Sequence, residues 1–385
     1  MLAIALSSTM FANVFINGAA FLIPTLHTER HLDLAHAGLL SAMPSLGMVT
    51  TLIAWGYVVD RFGERLVLAL GSALTAAAAF GAASTSSLLA TGVLLFLGGM
   101  AAASSNSASG RLVVGWFPPD QRGLVMGIRQ TATPLGVGLG ALVIPRIAHS
   151  HGVASALLFP AVVCALAAVI SAIGVIDPPR PPRHQAPAEH LANPYRVSSV
   201  LWRIHATSVL LVVPQAVLWT FALTWLIADR GWSPASAGIL VTVAQLLGAG
   251  GRIAAGVWSD RVGERLRPIR TIAIAAAAAM GLLALSDWFD SPVSVALMVI
   301  ASVITVSDNG LAFTGIAEIA GPFWSGRALG TQNTSQHLAS ALCAPVFGGL
   351  IGAVGYPAAF ALCALLPALA VPVVPVHGEA LAEAA

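Results

Sequence analysis

Long apolar runs separated by short polar breaks fill almost the whole chain. About 20 apolar residues cross the hydrocarbon core of a bilayer as a helix. Runs of that kind fall at 2–25, 37–59, 66–84, 88–110, 122–147 and 152–176, and again at 203–228, 235–258, 269–286, 291–316, 326–352 and 356–376. The pattern predicts an all-α membrane protein with twelve spanning helices. Glycine recurs inside the runs, as close packing of helices in lipid requires. One polar segment is long. It opens Asp177-Pro178-Pro179-Arg180-Pro181-Pro182-Arg183 and stays polar to about Ser199, and proline at this density breaks helix and stiffens an extended chain. The expected organisation is an amino-terminal six-helix bundle at 1–176, a cytoplasmic linker at 177–200, a carboxy-terminal bundle at 201–376 and a tail at 377–385.

Composition agrees with that pattern. Charged residues make up 9% of the 385 residues, where a soluble domain carries about 25%. Hydrophobic residues reach 57%, and mean hydropathy is +0.85. Such a chain cannot keep its apolar surface inside one water-soluble core. The formal net charge of +2 comes with scattered basic residues rather than a basic stripe, so no nucleic-acid partner is expected. All the basic residues are Arg, which together with the abundant Ala suggests a GC-rich bacterial genome. Their placement sets the orientation. With the amino terminus inside, Arg61, Arg65, Arg111, Arg122, Arg180, Arg183, Arg196, Arg203, Arg261, Arg265, Arg267, Arg270 and Arg327 lie in or beside cytoplasmic loops. Only Arg30, Arg146 and Arg230 fall outside. Both termini are expected in the cytoplasm of a bacterial inner-membrane protein. Residues 2–25 lack the basic start and cleavage site of a signal peptide, and Asn13 and Asn17 interrupt them, so they read as the first span. Cys164, Cys343 and Cys363 sit in apolar runs with no disulfide or metal spacing; no metal site and no cofactor are expected.

The two halves repeat. Residues 56–66 read Gly-Tyr-Val-Val-Asp-Arg-Phe-Gly-Glu-Arg-Leu, and residues 256–266 read Gly-Val-Trp-Ser-Asp-Arg-Val-Gly-Glu-Arg-Leu. Both copies follow the second span of their half. Gly123-Leu-Val-Met-Gly127 is echoed by Gly326-Arg-Ala-Leu-Gly330, and Ser104-Ser105-Asn106 by Ser307-Asp308-Asn309. Two halves of one topology imply an axis along the membrane normal and a substrate site between them near the midplane. The loop needs its residues for physical reasons. Glycines allow a tight reversal, an Asp sits well against a helix amino terminus, and Arg side chains can pair with acids or with helix carboxyl ends. Such contacts would hold one conformation shut on the cytoplasmic side and release in the other.

The repeated pattern Gly-x-x-x-Asp-Arg-x-Gly-x-Arg resembles the signature of the major facilitator superfamily. It stands as Gly56, Asp60, Arg61, Gly63 and Arg65, and again as Gly256, Asp260, Arg261, Gly263 and Arg265. The chain departs from that signature at its end, where Glu64 precedes Arg65 and Leu66 follows it, thinning the usual basic cluster. The resemblance implies two pseudo-symmetric six-helix bundles and alternating access. It also implies a cavity lined by the first, fourth, seventh and tenth helices, which puts Asn13, Asn17, Asn106, Trp219, Asp308 and Asn309 at its wall.

Charges at membrane depth are costly and mark function. Arg129, in the fifth span, is the candidate anion-binding residue because its guanidinium can hold a carboxylate through two hydrogen bonds. An internal ion pair with Asp308 or Glu318 is the competing reading. Asp308 in the tenth span and His337 in the eleventh are the candidate proton carriers. Arg252 lies near the end of the eighth span, and Glu318 is expected as a gate contact. Gln215 and Trp219 in the seventh span, and Gln332, Asn333 and Gln336 in the eleventh, complete the candidate substrate-binding set. Interhelical hydrogen bonding, about 1 kcal/mol per contact, is the alternative for each amide taken singly.

These features predict a secondary active transporter, monomeric and proton-coupled, that carries a small organic solute leaning to an organic anion such as a carboxylate. The alternative is a proton-driven exporter of hydrophobic or cationic drugs. Thr133-Pro134-Leu135-Gly136-Val137-Gly138-Leu139-Gly140 resembles the Gly/Pro motif of drug–proton antiporters. It lacks the leading Gly-Pro pair, however, and Leu94-Leu95-Phe96-Leu97-Gly98-Gly99 carries no embedded Arg. A non-transporting receptor or a membrane enzyme is the remote alternative. No catalytic residues converge: His149 and His151 flank one Ser on an external loop, and no phosphate-cradling loop is present.

Overall fold

Each apolar run becomes a helix, because in lipid a backbone must satisfy its polar groups within its own segment. The computed structural model describes residues 1–23, 25–26, 34–179 and 185–376. Arg30, Arg180, Arg183 and the tail 377–385 lie outside the described residues. Among the described residues every regular element is helical. The amino-terminal portion holds α1 (Leu2–Gly18), α2 (Leu34–Phe62), α3 (Glu64–Ser84), α4 (Leu88–Trp116), α5 (Pro119–Gln130) and α6 (Ala132–Gly174). Two single-turn helices follow, α7 (Ala188–Leu191) and α8 (Pro194–Val197), within the segment read as a linker. Then come α9 (Val200–Thr224), α10 (Pro234–Val262), α11 (Leu266–Trp288), α12 (Val293–Ile304), α13 (Asn309–Ala320) and α14 (Ser325–Val373).

Among the described residues ten helical stretches are long and apolar enough to cross a membrane. The two longest, Pro119–Gly174 and Ser325–Val373, each contain a glycine outside helical backbone, Gly152 (φ 81°) and Gly355 (φ 82°). Each therefore holds two spans, and the twelve expected runs are all present.

The tenth and seventh spans are among those that depart from the continuous helices that hydropathy predicts. The tenth is broken at Thr305–Asp308, between α12 and α13. Thr305 Oγ1 donates to the Ala301 carbonyl (2.8 Å) and Ser307 Oγ to that of Val303 (2.7 Å), local bonds that compete with the helix ladder. The backbone tightens in response, with the Ser307 amide donating to Ile304 (3.1 Å). The seventh span ends in a π-turn, Trp225–Asp229, after α9. It leads to Arg230, which bonds the buried Asp287 carboxylate at the end of α11.

The chain divides into two compact units. The first comprises Met1–Phe117, Thr131–Ala192 and Ala320–Thr334, and the second Pro118–Gln130, Asn193–Ile319 and Ser335–Ala385. In the first, Phe15, Leu22, Met48, Leu52, Leu95 and Leu157 anchor the core. In the second, Trp225, Met280, Leu283, Met298, Phe347 and Phe360 do so.

Candidate functional site

The repeated loop builds the same contact in each unit. In the first, Asp60 at the end of α2 accepts from two backbone amides at the start of α14, Gly326 N at 2.8 Å and Arg327 N at 3.1 Å. Negative charge at a helix amino end is favoured by the aligned peptide dipoles. Arg327 Nε adds a further bond to Asp60 Oδ2 (2.9 Å). In the second unit, Asp260 at the end of α10 accepts from Gly123 N (2.9 Å) and Leu124 N (2.7 Å) of α5. Glycines make both approaches possible. A Cβ on Gly56 or Gly326 would collide with the other's carbonyl, and the same holds for Gly256 and Gly123. The remaining loop glycines, Gly63 (φ 90°) and Gly263 (φ 73°), turn the chain in a backbone region that side chains disfavour.

The arginines that serve the two carboxylates come from different places. In the second unit Arg265 of the loop itself pairs with Asp260 (2.5 Å) and with Glu318 at the end of α13 (3.2 Å), while Arg122 holds the other Glu318 oxygen (3.2 Å). Arg265 Nη2 also takes the Pro119 carbonyl. Burial pulls the Arg265 pKa down, but Glu318 and Asp260 outweigh it and hold the group above its ordinary value. In the first unit the same task falls to Arg111, at the end of α4. It is buried and pairs with Asp60 (3.1 Å) and with the buried Glu64 (3.4 Å). The matching loop residue, Arg65, is exposed and donates instead to the Ala172 carbonyl at 2.7 Å. Its amide and that of Glu64 are capped by Asp177 (2.7 Å each). Arg61 and Arg261 are exposed; Arg61 donates to the Tyr57 hydroxyl (3.3 Å) and lies 5.6 Å from the Phe62 ring centroid. Sequence reasoning counted Arg111 as a topology marker and missed Glu64 as a partner. It also missed Asp287, whose Oδ1 accepts from Trp225 Nε1 at 3.1 Å and from Arg230.

A second cluster lies at membrane depth in the second unit. Arg129 is 2% exposed, donates to Gln130 Oε1 at 2.7 Å, and stands 5.8 Å from the Phe313 ring centroid. Arg252 is also buried; it reaches the Gln130 and Val306 carbonyls (3.4 Å each) and lies 5.9 Å from the Trp219 ring. Asp308, 2% exposed, sits in the break of the tenth span within the electrostatic reach of Arg252. Next to it Asn309 joins three elements. Its Nδ2 donates to Gln215 Oε1 of α9 (2.9 Å), and its Oδ1 accepts from Gln336 Nε2 of α14 (3.1 Å). His337, one residue on, is half-buried, and Trp219 is exposed. Two guanidinium groups, one carboxylate, three linked amides and two aromatic rings thus share one region.

The other candidates belong to the first unit and bond differently. Asn13 Nδ2 donates to the Thr9 carbonyl (2.9 Å), Asn17 Nδ2 to that of Asn13 (3.1 Å) and Asn333 Nδ2 to that of Leu329 (2.8 Å), each four residues back on its own helix. Asn106 Nδ2 reaches Met48 Sδ at 3.5 Å, and Gln332 is fully buried. Among the described residues no three His, Cys, Asp or Glu side chains group as metal ligands.

The sequence profile described as the Major Facilitator Superfamily matches residues 2–344. Over 374 residues the chain is 60% identical to an uncharacterized MFS-type transporter of Mycobacterium tuberculosis (strain ATCC 25618 / H37Rv), covering 97% of this chain and 84% of the relative. Two more distant relatives from Bacillus subtilis (strain 168) are each 23% identical. One is a hexuronate transporter, aligned over 62% of this chain and 59% of its own. The other is a probable galactarate/D-glucarate transporter, aligned over 81% and 78%. Among solved structures, the transporter FucP in its outward conformation superposes with a TM-score of 0.75 at 16% identity over 97% of each chain. The human organic anion transporter MFSD10 does so with 0.76 at 18%, over 97% of this chain and 98% of its own. At these identities the structural likeness speaks for the fold alone.

Proposed function

The chain belongs to the major facilitator superfamily, and from that membership we propose that this multi-pass membrane transporter carries a small organic anion, coupled to protons, by alternating access. The observation that supports the anion is a pair of buried guanidiniums close to a chain of linked amides. Arg129 and Arg252 are both buried within apolar runs, and Asp308 lies within the electrostatic reach of Arg252. A guanidinium fork would hold a substrate carboxylate, and its charge-assisted bonds are the strong ones. Glu318 stands apart from this cluster, held by Arg122 and Arg265. The linked amides of Gln215, Asn309 and Gln336 offer donors and acceptors suited to hydroxyl groups. A hydroxylated carboxylate of the hexuronate or galactarate kind combines both features, and two relatives carry those names.

Asp308 is the proposed proton carrier, with His337 as the second candidate. Asp60 and Asp260 with their amide partners form the proposed cytoplasmic gate. The test is uptake of labelled galactarate and glucuronate into proteoliposomes. Wild type takes them up faster when the outer medium is the more acidic, and Asp308→Asn keeps exchange of internal for external substrate while losing the response to the proton gradient. Uptake that is absent for both sugar acids, or indifferent to the gradient in wild type, overturns the reading.

A further inference from the structure

We infer that the second unit carries a binding site for the phosphate of an anionic phospholipid head group, where α9 begins and α14 ends. A cavity of about 540 Å³ opens there, with Ser198, Ser199, Arg203 and Arg270 on its polar side and Val374 and Val376 on its apolar side. No carboxylate lines it among the described residues. Arg203 is oriented by the closing carbonyls of α14, donating from Nε to Val373 (2.9 Å) and from Nη2 to Pro372 (3.1 Å). Those bonds fix the guanidinium, and it pairs with no carboxylate among the described residues. Arg270 is exposed and forms neither an ion pair nor a hydrogen bond among the described residues, unlike its neighbour Arg267, which pairs with Glu264 at 3.1 Å. Two guanidiniums that meet no carboxylate among the described residues, with two hydroxyls on the same rim, are the donor set of a phosphodiester. The amino end of the 25-residue α9 adds partial positive charge, and Ser199 at its N-cap makes no capping bond.

The same donors would suit a free phosphate. The apolar wall and the position at the end of two spans favour the lipid, whose acyl chains then continue along helices already facing hydrocarbon. Trp202, on the first turn of α9, is 55% exposed, and aromatic rings of this kind settle at the head-group level.

The test counts lipids retained by the detergent-purified full chain in native mass spectrometry. The additions are dioleoyl phosphatidylglycerol, dioleoyl phosphatidylcholine or inorganic phosphate, each at the same phosphate concentration. Wild type is expected to retain one more phosphatidylglycerol than the double variant Arg203→Gln, Arg270→Gln, with phosphatidylcholine retained equally by both. Each basic residue near an anionic leaflet contributes about fivefold, so the double variant should lose about 30-fold in phosphatidylglycerol affinity. Arg267→Gln, in the same region but already paired, should match wild type. If the double variant is too unstable to purify, Arg270→Gln alone, at an exposed side chain, should lose about fivefold. Equal phosphatidylglycerol retention by wild type and variants overturns the site. So does retention of inorganic phosphate without the lipid, which would make it a free-anion site.

Discussion

Arg111 and Glu64 carry more of the first unit's loop contact than the loop arginines beside them. Both are buried, and Arg111 stands between the Asp60 and Glu64 carboxylates. Removing the cation breaks the Glu64 pair and leaves Asp60 to Arg327 (2.9 Å), and breaking a buried pair costs about 3–5 kcal/mol. Arg111→Gln is therefore expected to lower thermal stability by that order, measured by tryptophan fluorescence or calorimetry. Arg111→Gln combined with Glu64→Gln should recover part of the loss, because contacting residues do not add independently. Arg65→Gln, at an exposed side chain, should change little. The repeated motif of the linear chain points to Arg65, whereas Arg111 reads as one more arginine at the end of an apolar run. The distinction comes from where the end of α4 falls against the loop. The site residues divide in the same way. Asp308 and Arg129 are legible as charges in apolar runs, but the Gln215–Asn309–Gln336 linkage joins three separate helices and has no local signature.

The elements were legible as far as hydropathy reaches. Twelve runs and their loop repeat follow from composition and spacing, because lipid makes the helix the only open solution for each run. The break at Thr305–Asp308 escaped that reading, since four residues barely move a window of about 20. Its one local clue is the run of hydroxyl side chains at Ser302, Thr305 and Ser307, each bonded to the carbonyl four residues back. At this scale the proposed gate makes a sharp prediction. α2 and the start of α14 approach through Gly56 and Gly326, where added carbon atoms meet backbone. Gly56→Val should force them apart. A cysteine placed at Leu329, which is fully buried, should then react with a membrane-impermeant thiol reagent several-fold faster than in the wild-type background. The native Cys164, Cys343 and Cys363 are all buried and should contribute little background. An unchanged rate would mean that the glycine pair does not set this contact.

At the scale of the whole molecule, sequence halves and compact units differ in one respect. The start of the fifth span belongs to the second unit and the start of the eleventh to the first. The apolar pattern could not reveal this, because it locates spans along the chain and not the partners of their ends. Each unit therefore needs chain from both sides of the linker. Fragments 1–185 and 186–385, produced together, are expected to purify as a pair through a tag on either one. Fragments that purify singly would contradict that reliance. The proposed substrate is an organic anion bound at Arg129 beside Arg252 and Asp308. Its most direct test is the thermal shift of purified protein with galactarate or with the lipophilic cation tetraphenylphosphonium, in wild type and Arg129→Ala. Loss of one charge-assisted contact is worth about 1.5–3 kcal/mol, so stabilisation by galactarate in wild type should need at least tenfold more ligand in Arg129→Ala, with no effect of the cation on either. Stabilisation by the cation but not by galactarate, unchanged in Arg129→Ala, would contradict the account and move the protein to cation or drug transport.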